Sequence, residues 1–132
     1  MAEPTAVTHE TASQTPARLL GALLVSAGIA HFAAPRPFDA IVPRALPGSP
    51  RAWTYASGAA ELAVGAAVLA PRTRSAGALA AVGLFAAVFP ANVKMARDWR
   101  HRPAPWRHLA TARLPLQLPL ALWALHVHRT AR

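Results

Sequence analysis

Apolar residues occur along the chain in four long runs that are separated by connectors rich in proline and arginine. A helix that crosses a bilayer needs about 20 mostly apolar residues, with a working range of about 17 to 25. Each run comes close to that length, and the predicted helices cover residues 17–34, 52–70, 75–96 and 110–127. The pattern therefore predicts an all-α fold, an antiparallel four-helix transmembrane bundle formed by residues 17–132.

Residues 1–16 precede the first run and differ from it in composition. They are rich in Thr, Ala and Pro and show no apolar periodicity, which is typical of a disordered polar tail. Glu3 and Glu10 lie where a signal peptide would carry basic residues, so the pattern disfavours a cleaved signal peptide.

Composition separates a membrane protein from a soluble one here. Hydrophobic residues make up 54% of the 132 residues and charged residues 14%, against about a quarter charged in soluble domains. A chain of this length forms one domain, and four such runs would leave little amphipathic surface to face water. We expect a multi-pass membrane protein whose main partner is the lipid bilayer.

The net charge of +9 also permits a nucleic-acid interpretation, since basic patches can bind phosphate. However, the arginines lie mainly between the apolar runs, where membrane proteins collect them to determine orientation. We therefore expect no nucleic-acid partner, and we expect the 35–51 and 97–109 connectors to be cytoplasmic. The chain has no cysteine, which excludes a disulfide or a thiolate metal site, and no metal site is predicted.

One carboxylate interrupts the second apolar run near its middle. Placing a charged side chain in hydrocarbon costs roughly 2.5 to 3.5 kcal/mol on insertion scales, so Glu61 must be paired, hydrated or protonated. Small and polar residues recur around it at intervals of three and four residues: Thr54, Ser57, Gly58 and Gly65. Small residues at this spacing let helices approach closely, so we expect this stripe to face the bundle interior.

Polar residues of the other three predicted helices lie in the same half of the bilayer as Glu61, given a rise of about 1.5 Å per residue. The candidate pocket residues are His31, Glu61, Asn92, Arg113 and Gln117. One interpretation is a structural ion pair or hydrogen bond that stabilises the bundle. The other is a polar pocket that binds a head group or moves a proton, and neither interpretation assigns a catalytic residue. His31 is also consistent with an interfacial histidine, and Asn92 with capping a kink at Pro90.

Several short motifs resemble the DoxX family of small bacterial integral membrane proteins. They are "AGIAHFAAPRPFDAIVPRALP", "SGAAEL", "PRTRSAG" and "FPANVKMA", in that order, and the resemblance extends from residue 19 to about residue 127. The residues at recurring motif positions are His31, Pro43, Glu61, Pro90 and Asn92. The resemblance implies a four-helix bundle in the bacterial cytoplasmic membrane, a possible quinone cofactor and a membrane or cytoplasmic redox partner.

Two functions of different classes follow, and the sequence leaves open whether the protein is an enzyme. The first is a redox-associated membrane subunit that binds a quinone or similar amphiphile between its helices, with Glu61 and His31 contacting the polar end. The second is a non-catalytic membrane scaffold or assembly protein that docks a partner complex.

Overall fold

The computed structural model describes the backbone of residues 5–131 and the side chains of residues 14–131. Its helices are α1 (Thr5–Ala33), α2 (Arg36–Asp39), α3 (Pro50–Leu69), α4 (Arg74–Asp98), a 3₁₀ turn (Trp99–His101) and α5 (Trp106–Thr130). No strand occurs within residues 5–131. The prediction of an all-α chain is therefore confirmed for the part that the structure describes.

The first helix begins earlier than the apolar pattern predicts. Residues 1–4 lie outside the described residues, but α1 starts at Thr5 and continues through Pro16. The predicted disordered tail is therefore not supported over residues 5–16. Extending a helix that already exists adds one backbone hydrogen bond per residue without a new nucleation step, so a polar segment without periodicity can continue a neighbouring apolar helix.

Close contact between α1 and α3 depends on glycine. These two helices pack mainly against each other, α4 packs mainly against α5, and α3 also contacts α4. A Cβ atom on Gly58 would lie 2.7 Å from the Cβ of His31, and one on Gly28 would lie 2.9 Å from the carbonyl oxygen of Gly58. Real Cβ atoms do not approach so closely, so these glycines bring His31 next to the α3 segment that carries Glu61.

The apolar core lies toward the end of the long helices that is away from the two long connectors. Its members are Ala17, Leu20, Leu24, Val68, Ala78, Ala81, Phe85, Ala124 and Val127. At this end Ser75 Oγ lies 3.0 Å from His128 Nδ1, and Arg74 Nε donates to the Val68 carbonyl oxygen over 2.8 Å. These contacts hold α3, α4 and α5 together.

The connector between α1 and α3 folds into a cap, defined here as residues 35–49, which includes α2. Asp39 accepts hydrogen bonds from Thr54 Oγ1 at 2.6 Å and from Arg51 Nε at 2.8 Å. From α4, Lys94 Nζ donates to the Ala40 carbonyl oxygen over 3.2 Å. The cap is thus fastened to both α3 and α4.

Two segments of the described chain are long and apolar enough to cross a membrane, judged by length and composition: Gln14–Ala33 and Arg74–His101. The other two long helices, α3 and α5, are interrupted by Glu61 and by two prolines respectively, and they do not meet this criterion. On this measure the structure supports two of the four predicted spans.

Candidate functional site

A cavity of about 90 Å³ lies beneath the cap and between the long helices. Four of the five predicted pocket residues line it, one from each long helix: His31, Glu61, Asn92 and Arg113. A single water needs roughly 10–15 Å³ of such space. The cavity therefore has room for several waters or for the polar end of a ligand.

The fifth predicted residue does not line this cavity. Gln117 lies four residues beyond Arg113 on α5, and its Oε1 atom is buried without a hydrogen-bond partner among the described residues. The structure thus brings four predicted residues around one space and leaves Gln117 outside its wall.

The contact between His31 and Glu61 is close but is not a hydrogen bond. His31 Nδ1 lies 3.4 Å from Glu61 Oε2 and only 2.7 Å from the carbonyl oxygen of Ala27, four residues earlier in α1. Because a carbonyl oxygen can only accept, it engages the Nδ1 hydrogen. The His31 ring also stacks on Phe38 of the cap, with ring centroids 3.8 Å apart, so helix and cap hold the imidazole in place.

Two buried polar atoms in the cavity wall have no partner within the described chain: Glu61 Oε2 and Asn92 Nδ2. Asn92 is 2% exposed, so water outside the protein cannot reach its amide freely. Leaving a buried donor or acceptor unsatisfied costs about 1–3 kcal/mol, and most such groups in proteins do have a partner. A water or a ligand in the cavity would supply both missing hydrogen bonds.

Arg113 adds a positive charge to the same wall. One of its terminal nitrogens lies 3.5 Å from Met95 Sδ, which is a weak acceptor. Its charge acts on the Glu61 carboxylate electrostatically, but Arg113 takes part in none of the salt bridges among residues 14–131. The guanidinium therefore keeps hydrogen-bond donors available to a ligand.

The chemistry of this wall suits recognition by hydrogen bonds. Donors come from the Asn92 amide and the Arg113 guanidinium, and an acceptor comes from Glu61. Within residues 14–131 no group of three or more His, Asp and Glu side chains is arranged to hold a metal ion.

Among the residues that fasten the cap, Asp39 was not singled out from the sequence, and Thr54 was noted only as part of the stripe on α3. The Thr54 hydroxyl and the Arg51 guanidinium hold the pKa of the Asp39 carboxyl below its ordinary value of 3.8, against a smaller opposing effect of burial. The sequence did contain a clue to this pairing, because Asp39 is the one acidic residue in the arginine-containing connector 35–51. An isolated acid among arginines is a candidate for pairing, but its partner on α3 depends on the fold.

Comparison with known families corrects the resemblance drawn from the short motifs. A family model described as "Domain of unknown function (DUF8561)" matches residues 20–128, and the resemblance to the DoxX family is therefore wrong. The expectations of a quinone and of a redox partner came with that resemblance and lose its support. Neither the curated proteins nor the solved structures contain a match. Because the matched region covers most of the 132 residues, the chain belongs to the family of domains of unknown function DUF8561.

Proposed function

We propose that this chain is a multi-pass membrane protein that binds the polar end of an amphiphile in the cavity around Glu61. One observation carries the proposal: two unpartnered buried polar atoms, Glu61 Oε2 and Asn92 Nδ2, belong to different helices and line the same cavity. Neither the apolar pattern nor helix packing requires a carboxylate and an amide at this place. A ligand with hydrogen-bonding groups would satisfy both.

The outer surface of the helices supports the membrane part of the proposal. Large apolar side chains are exposed on each long helix, among them Leu19, Ile29, Leu69, Leu79, Leu118 and Leu122. Only 33% of the Gln14–Ala33 window and 28% of the Arg74–His101 window are buried, whereas the core helix of a soluble protein is mostly buried. Exposed apolar area on this scale is typical of a surface covered by lipid or by another protein.

The geometry also favours ligand binding over a purely structural ion pair. A structural pair would place the Glu61 carboxylate in hydrogen-bond contact with its partner, but His31 Nδ1 is engaged by Ala27 and lies 3.4 Å from Glu61 Oε2. Within a bilayer, where water is scarce, an unsatisfied polar group costs several kcal/mol. A bound polar head would remove that cost.

The arginine distribution supports an orientation with the cavity in the cytoplasmic half of the bilayer. The cap and the connectors next to it contain Arg36, Arg44, Arg51, Arg97, Arg100, Arg102 and Arg107. The positive-inside rule assigns such loops to the cytoplasm. A ligand would then reach the cavity from the cytoplasmic leaflet.

Native mass spectrometry of the full chain, purified in mild detergent, tests the proposal. Wild type should retain a small amphiphile of defined mass, and Glu61→Gln should lose it while its unfolding temperature stays nearly unchanged. Gln117→Leu is the matched control, because the Gln117 Oε1 atom is buried without a partner among the described residues but lies outside the cavity wall, and this variant should retain the ligand.

Other outcomes would contradict the proposal. Absence of any amphiphile from wild type, combined with a partner protein that co-purifies equally with wild type and Glu61→Gln, would favour a scaffold. A large fall in the unfolding temperature of Glu61→Gln would show that Glu61 acts as a structural group.

A further inference from the structure

An apolar side groove of about 510 Å³ lies beside the polar cavity, between the cap, α3 and α4. Its walls include Leu46 of the cap, Ala56 and Ala60 of α3, and Leu84 and Ala87 of α4. All the residues that line it are uncharged. Small alanines on two neighbouring helices create this space, since larger side chains would fill it.

The side groove and the polar cavity share part of their walls. The residues common to both are Val42, Trp53, Ser57, Val88 and Ala91. The two spaces therefore lie side by side, which suits one molecule with its polar end near Glu61 and its apolar part along α3 and α4. The arrangement suits a molecule that is polar at one end only.

The sizes of the two spaces restrict the ligand. The cavity of about 90 Å³ is far smaller than the pockets of roughly 300–1,000 Å³ that enclose drug-sized molecules, so it accepts a compact head group. The larger, apolar groove has the character of a site for a hydrocarbon chain. A compact head with one chain fits this combination better than a phospholipid, which has a phosphate and two chains.

The charges around the cavity restrict the head group further. The Glu61 carboxylate and the Arg113 guanidinium carry opposite charges on the same wall, and the Nδ1 hydrogen of His31 is already engaged by the Ala27 carbonyl oxygen. An anionic head group would be repelled by the Glu61 carboxylate, and a cationic head group would be repelled by the Arg113 guanidinium. The Asn92 amide needs an acceptor and Glu61 Oε2 needs a donor, and one hydroxyl-bearing head with a second oxygen supplies both.

We infer that the ligand is an uncharged single-chain amphiphile whose head group carries a hydroxyl and whose chain lies in the side groove. This inference rests on the proposed function, because it specifies the class of molecule that occupies the cavity around Glu61. The hydroxyl donates to Glu61, an oxygen of the head accepts from Asn92, and the chain covers Ala60 and Ala87.

Trp53 provides a reporter, because it lines both the cavity and the side groove. Replacing the other three tryptophans by phenylalanine leaves Trp53 as the single tryptophan of the full chain. Titration of this protein in detergent with a monoacylglycerol that carries a dibrominated chain should quench Trp53 fluorescence saturably. A dibrominated phosphatidylcholine and a dibrominated fatty acid should bind at least about tenfold more weakly, a difference of about 1.4 kcal/mol.

The background variant needs its own check, since Trp123 Nε1 donates to the Pro16 carbonyl oxygen over 3.0 Å and Trp123→Phe removes that bond. If the variant fails to fold, the same titrations on wild type and Trp53→Phe give the contribution of Trp53 by subtraction.

A matched pair of substitutions tests the position of the chain. Ala87→Phe fills the side groove and should weaken binding of the brominated monoacylglycerol at least about tenfold. Ala86→Phe adds the same ring at the neighbouring exposed position on α4, outside the groove wall, and should change the affinity by less than about twofold. Competition by unlabelled monoolein and by a long-chain alkylphenol then distinguishes an aliphatic from a phenolic hydroxyl, and preference for either supports the inference.

The failures of the two proposals can be told apart. Preferential binding of the fatty acid or the phospholipid, or equal affinities for Ala87→Phe and Ala86→Phe, would overturn the uncharged single-chain class. The cavity proposal would still stand if Glu61→Gln abolished that binding. Absence of quenching by all three probes, together with absence of a co-purifying ligand, would overturn both.

Discussion

His31 Nδ1 lies 3.4 Å from Glu61 Oε2, yet the same nitrogen is engaged by the Ala27 carbonyl oxygen at 2.7 Å. The imidazole is therefore held by its own helix and by Phe38, and it does not saturate the carboxylate. This relationship leaves Glu61 as an acceptor in the cavity between the long helices.

Gly58 tests the close approach of α1 and α3. In Gly58→Ala the new Cβ would meet His31 Cβ at 2.7 Å, and overpacking of this kind typically lowers the free energy of unfolding by about 1–3 kcal/mol. Gly83→Ala is the control, because a Cβ there has no neighbour within 4 Å and alanine favours a helix over glycine by about 1 kcal/mol. Thermal unfolding in detergent should show a loss for Gly58→Ala and no loss for Gly83→Ala.

The lowered pKa of Asp39 predicts that the stability contributed by the cap depends on pH. Its folded pKa is lowered below 3.8, so the stability that it contributes is present above that value and is lost as pH falls through the lower folded pKa. Asp39→Asn should therefore unfold at a lower temperature than wild type near neutral pH, and the difference should shrink below 3.8. Unfolding temperatures measured for both proteins from about pH 7 to about pH 3 check this.

Two substitutions of Thr54 serve as a matched control for the hydrogen bond that Thr54 Oγ1 donates to Asp39. Thr54→Ser keeps a hydroxyl that can donate to Asp39 and should preserve the acid-dependent loss of stability. Thr54→Val removes the hydroxyl and should reduce that loss. Identical pH profiles for the two variants would contradict the role given to this hydrogen bond.

If the chain is inserted in a membrane, it should resist extraction by alkaline carbonate. Replacement of Leu118 by arginine should then impair insertion. Leu118 is 66% exposed; in a soluble protein Leu118→Arg would change stability by no more than about 0.5 kcal/mol. In a bilayer the same change costs about 2.5–3.5 kcal/mol near the helix centre. We expect wild type to stay in the carbonate-washed membrane pellet and the variant to be inserted in lower yield. Recovery of wild type in the soluble fraction without detergent would contradict the membrane assignment.

The orientation of the chain in the membrane can be determined by labelling single introduced cysteines, because the sequence contains no cysteine of its own. Arg44→Cys lies in the cap, and Arg72→Cys lies in the short turn between α3 and α4 at the other end. In intact cells an impermeant maleimide should label Arg72→Cys and should label Arg44→Cys only after permeabilisation. The opposite pattern would place the cap outside the cytoplasm.

The candidate site was partly predictable because helical spacing relates residues within one helix. Within the predicted stripe, Thr54, Gly58 and Gly65 are buried, whereas Ser57 is half-buried. Counting residues from the connectors placed Asn92 in the same half of the bilayer as Glu61, and both line one cavity. Gln117 satisfied the same count but lies outside the wall, because depth along a helix does not specify which way the side chain points relative to neighbouring helices.

By itself the sequence determined that the described chain is helical, where its long helices lie apart from the start of α1, and which of them carry polar groups, since run length and residue type are local properties. The tertiary structure decided what those polar groups contact. Thr54 meets Asp39 and Lys94 meets Ala40 across separations in the chain that no periodicity encodes. The side groove is likewise lined by residues of the cap, α3 and α4, and it depends on how the helices cross and where the cap folds back.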